Sequence, residues 1–62
     1  MNAKEAVEAV KATYARFSAR ELENALNQCV AMYNEAARKR DRDGIIAAKL
    51  NIELVRAELR RR

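Results

Sequence analysis

The sequence predicts an all-α protein, and three observations carry that prediction. The 62 residues include no proline and one glycine, 13 of the 31 apolar residues are alanine, and the apolar positions recur at intervals of three and four. A chain with so little turn material has few ways to reverse β-strands, whereas alanine favours helix throughout.

Capping chemistry divides residues 1–62, read as one domain, into three helices. Asn2 followed by Glu5 has the spacing of an N-cap and its third helical residue, which starts a helix over about 3–16. Ser18 and Glu21 form a capping box, with Phe17 before the cap and Leu22 at the fourth helical position as a hydrophobic staple, so a second helix covers about 19–40. Asp41, with Asp43 as the alternative, caps a third over about 42–61 and places negative charge at its positive end. A continuous helix from Ala3 to Lys39 is the competing reading, since only Ser18 interrupts it.

Periodicity assigns the faces. Ala3, Val7, Val10, Tyr14 and Phe17 form one stripe on the first helix. On the second, Leu22, Leu26, Cys29, Val30, Met32, Tyr33 and Ala36 cover a wide arc. Drawn as one straight rod, the two stripes would point about 130° apart, a conflict that a break near Ser18 removes. The third helix is apolar on two sides, with Ile45, Ala48, Ile52, Val55 and Leu59 on one and Ile46, Ala47, Leu50, Leu54 and Ala57 on the other. Such a helix needs two neighbours. One is the second helix, folded back through a turn at Asp41 to Gly44 as an antiparallel helical hairpin. The other is helix one or a second subunit, and large aliphatic side chains worth roughly 1.5–3 kcal/mol each when buried favour a homodimer. The expected architecture is therefore a short N-terminal helix plus a helical hairpin, assembled as a homodimeric helix bundle. Ile45, Ile46, Leu50, Ile52, Leu54, Val55 and Leu59 are the expected dimer interface.

Size and composition exclude much chemistry. With no histidine and one cysteine there is no internal disulfide and no ligand set for structural zinc, and Cys29 has no imidazole to activate it as a nucleophile. Cys29 reads as a buried structural thiol, and Tyr14 and Tyr33 as core residues with their hydroxyls at the rim. No enzyme, cofactor, metal or small-molecule substrate is expected. No run of 18 apolar residues occurs, nor an apolar leader, so the expectation is a soluble, cytoplasmic chain that does not engage membranes.

Charge separates two binding hypotheses. Residues 1–17 carry +1, 18–37 carry −2 and 38–62 carry +5, which gives the net +4. Arg38, Lys39, Arg40 and Arg42 form one basic cluster and Arg60, Arg61 and Arg62 another, both where cations suit a helix C-terminus. They keep a small nucleic-acid-binding regulator as the alternative, although Asp41 and Asp43 interrupt the first cluster and no basic stripe runs along a helix. The leading reading is binding to another protein, through amide groups on the second helix: Asn24, Asn27, Gln28 and Asn34, with Arg38.

Three capped helices, the lone Cys29, an alanine-rich hairpin and an arginine tail together resemble the very small helical proteins that phages and other mobile elements encode to inhibit host proteins, anti-activators of transcription regulators among them. The resemblance is one of size and pattern. It implies a dimer that binds a host regulator stoichiometrically and blocks it.

Overall fold

A computed structural model describes residues 2–62 and contains three helices: α1 (Ala3–Ala15), α2 (Ala19–Arg38) and α3 (Arg42–Arg61). No strand occurs among the described residues. Each helix begins on the side chain expected to cap it. Asn2 Oδ1 accepts from the Glu5 amide at 2.8 Å. Ser18 Oγ accepts from the Glu21 amide while Glu21 Oε1 accepts from the Ser18 amide, so both halves of the capping box are present. Asp41 Oδ1 accepts from the Gly44 amide at 3.1 Å. The chain is therefore broken at Ser18, and the continuous-helix alternative is excluded.

α2 ends two residues earlier than the sequence suggested, and the connection differs from the expected turn at Asp41 to Gly44. The reversal lies at Lys39–Asp41, and Gly44 is already in the first turn of α3 with ordinary negative φ. The residue that takes the left-handed conformation is Arg40, at φ 55. Its amide donates to the Ala37 carbonyl and that of Asp41 to the Ala36 carbonyl, the paired bonds of a Schellman cap. This position usually holds glycine, because a Cβ in the left-handed region crowds its own carbonyl. Gly44 serves a different purpose. A Cβ there would stand 2.6 Å from the capping Asp41 carboxylate and 3.2 Å from the Ala36 Cβ.

The core between α2 and α3 is narrow. Leu22, Cys29 and Ala36 are buried on α2 and Ala48 and Val55 on α3. The spacing within each set is seven residues, two helical turns, so each set forms a seam along its helix. Three of the five are alanine or cysteine, and the shared seam is sealed by Leu22 and Val55, both 0% exposed. Two of the apolar residues expected to face the core lie outside it: Val30 is exposed on one flank of α2 and Met32 on the other, since the seam is narrower than the apolar arc.

α1 packs mainly on α3 and buries none of its residues fully. Of the face that periodicity assigned, Val7, Val10, Tyr14 and Phe17 are half-buried and Ala3 is exposed. The result is a plate measuring 33 × 28 × 14 Å.

Two stability changes test this account. Arg40→Gly relieves the left-handed residue and should raise the unfolding free energy by about 1 kcal/mol in urea titration. Leu22→Ala should cost about 3 kcal/mol, a large part of the roughly 3–9 kcal/mol available to a chain of this size.

Candidate functional site

The dimer-interface residues expected from sequence divide into two groups in the structure. Val55 is wholly buried against the chain's own α2, and Ile45, Ile52 and Leu59 lie half-buried on the same side of α3. These four lie on the side of α3 that faces α2 within the single chain. Ile46 and Leu50 are 59% and 44% exposed. They lie on the edge of α3 turned away from α2, and Leu54 and Ala57 continue that edge half-buried towards α1.

α1 covers only the C-terminal half of this side of α3, and two polar contacts fix its position. The Tyr14 hydroxyl donates to Asn51 Oδ1 at 2.9 Å, and Asn51 Nδ2 in turn donates to the Ala47 carbonyl, so the acceptor is aimed before α1 arrives. At the other end the Arg62 guanidinium donates to the Ala15 carbonyl at 3.2 Å, satisfying one of the free acceptors at the end of α1. Arg62 and Arg61 also approach the nearly buried Glu58 carboxylate at 3.4 Å. Asn51 and Glu58 were not singled out from the sequence. The placement of α1 gives Asn51 the Tyr14 hydroxyl, whereas Glu58 is paired by Arg61 and Arg62 one turn further along the chain.

Where the three helices meet, a groove of about 350 Å³ is lined by Tyr14, Phe17, Cys29, Met32, Ala48 and Asn51, among others. The Tyr14 and Phe17 rings meet edge to face with centroids 5.6 Å apart. Burial raises the Tyr14 pKa above its ordinary value, and the neighbouring Cys29, by charge and hydrogen bonding, raises it further. Cys29 is a buried free thiol. Among the described residues there is no group of three histidine, cysteine, aspartate or glutamate side chains able to hold a metal ion, and no helix is long and apolar enough to cross a membrane.

The polar candidates are all exposed, but they do not form one surface. Asn24, Asn27, Asn34 and Arg38 share the side of α2 facing away from α3. Gln28 is turned by about 120° from Asn34 and lines the groove beside Tyr14 and Phe17. Of the seven basic candidates, Arg38 and Lys39 pair with Glu35, and Arg61 and Arg62 pair with Glu58. Arg40, Arg42 and Arg60 have no ion-pair partner among the described residues. The two clusters stand at opposite ends of α3, about 28 Å apart along its axis, and so do not combine into one basic surface within the chain.

The whole chain exposes 4936 Å². A compact globule of 7.1 kDa exposes about 4,100 Å². The surplus, roughly 800 Å², goes with the flat shape of the molecule, 14 Å at its thinnest.

No family model, curated protein or solved structure matches this chain.

The raised Tyr14 pKa has a consequence for stability. A group that holds its proton more tightly when folded stabilises the fold below its unfolded pKa, and this contribution is lost as pH rises through the folded value. Stability should therefore fall above about pH 10, and ultraviolet titration should show Tyr14 ionising later than a free tyrosine. Tyr14→Phe should remove that component and loosen α1 through loss of the Asn51 bond.

Proposed function

We propose that this chain is a non-enzymatic interaction module: a homodimer, built on the antiparallel hairpin of α2 and α3, that binds another protein and inhibits it by occupying its working surface. The observation that carries this reading is the exposed pair Ile46 and Leu50 on one edge of α3. A monomer gains nothing by keeping large aliphatic side chains in water, whereas a second copy would remove them. The hairpin is supported by the proximity of Ala36 to Gly44 at the turn and of Cys29 to Ala48 further along the pair.

The side of α2 that presents Asn24, Asn27, Asn34 and Arg38 takes no part in the core or along the α3 edge, so self-association leaves it free for a target. Neutral amides donate and accept, which suits specific hydrogen bonding to a protein surface. Two copies in one dimer would double the contact available to a 7.1 kDa chain. The resemblance to phage anti-activators makes a host transcription regulator the class of target to test first, with the cytoplasm as the setting. Nucleic-acid binding is the weaker reading, because four of the seven basic side chains in question are paired within the chain.

Sedimentation equilibrium should give twice 7.1 kDa for the native chain and 7.1 kDa for Leu50→Asp. Affinity capture after nuclease treatment should retain a protein that Asn27→Arg with Asn34→Arg loses. Retention of nucleic acid, with binding abolished by charge reversal at Arg38, Lys39 and Arg40 and steeply weakened by salt, would replace this reading with the other.

A further inference from the structure

We infer that the second copy lies antiparallel on the outer edge of α3, its two-fold axis passing near residues 51 and 52, with Leu50 against the partner's Leu54 and Ile46 against the partner's Ala57. This rests on the dimer proposed above and adds its direction and register. The apolar edge formed by Ile46, Leu50, Leu54 and Ala57 is centred on those residues, so an antiparallel two-fold superimposes the edge on itself without overhang.

Charge decides the direction. Lys49 and Glu53 are exposed on the flank of this edge opposite α1, and neither makes an ion pair among the described residues. Antiparallel pairing keeps the same flanks together, so Lys49 meets the partner's Glu53 and Glu53 the partner's Lys49 near the centre of the contact. On the α1 flank, Asp43 meets the partner's Arg61. Arg42 meets the partner's Arg60 only at the solvent-exposed ends, where screening weakens the repulsion. Parallel pairing would instead bring opposite flanks together, setting Lys49 and Glu53 against the partner's α1 flank near Leu50 and Leu54, where neither meets an opposite charge.

The test is a charge swap read by sedimentation equilibrium, with circular dichroism confirming helix content in every variant. Lys49→Glu and Glu53→Lys should each weaken dimerisation about tenfold or more, because each converts two attractive contacts into repulsive ones. The double variant should recover the native dissociation constant, and so should an equimolar mixture of the two single variants, which excludes an effect confined to one helix. If the single variants dimerise like the native chain, or the double variant is no better than either, this register is wrong. In that case dissociation by Leu50→Asp would still uphold the dimer itself. A native chain that stays at 7.1 kDa at high concentration would overturn both.

Discussion

The structure depends on how closely α2 and α3 approach one another. Ala36 and Gly44 stand side by side near the turn, Cys29 and Ala48 share the middle, and only Leu22 and Val55 are large enough to exclude solvent completely. Small side chains bring the helix axes close but bury little area, so the seam cannot by itself remove all the apolar residues of α3 from water. α1 takes up part of the remainder through Leu54 and Ala57, leaving Ile46 and Leu50 over. α3 is thus a helix with two apolar sides, one of them partly uncovered.

The helices were legible in the sequence to within two residues because their starts are written in side-chain chemistry. Asn2, Ser18 and Asp41 each bond the amide three residues on, as their spacing required. The break at Ser18 was legible for the same reason. The end of α2 was not, because no glycine marks it: Arg40 adopts the left-handed cap against its own preference. Gly44 drew attention to the wrong residues, being conspicuous as the sole glycine while its use is steric.

The faces were legible only in part. Periodicity placed two stripes on α3, but which stripe folds the chain and which remains outside depends on which helix occupies which side. Val55 and Leu50 look equally apolar in the sequence, and one is sealed while the other is in solvent. Asn51 is an ordinary polar residue until α1 brings Tyr14 to it. The basic clusters were read as cations suited to helix C-termini, and in the structure Glu35 and Glu58, a turn earlier, pair with four of their seven side chains. Charge counted along a sequence overstates what is available at a surface when acidic residues lie at helical spacing.

α1 contributes no fully buried residue, and few polar contacts hold it. Local opening costs least where burial is smallest, so α1 is the part of the molecule that detaches first, well before α2 and α3 separate. Its amide protons should exchange with solvent at rates set by that partial opening, while those along the seam wait for global unfolding. Each such excursion uncovers Leu54, Ala57 and the Cys29 groove together, so the molecule intermittently presents a broader apolar surface than its resting form.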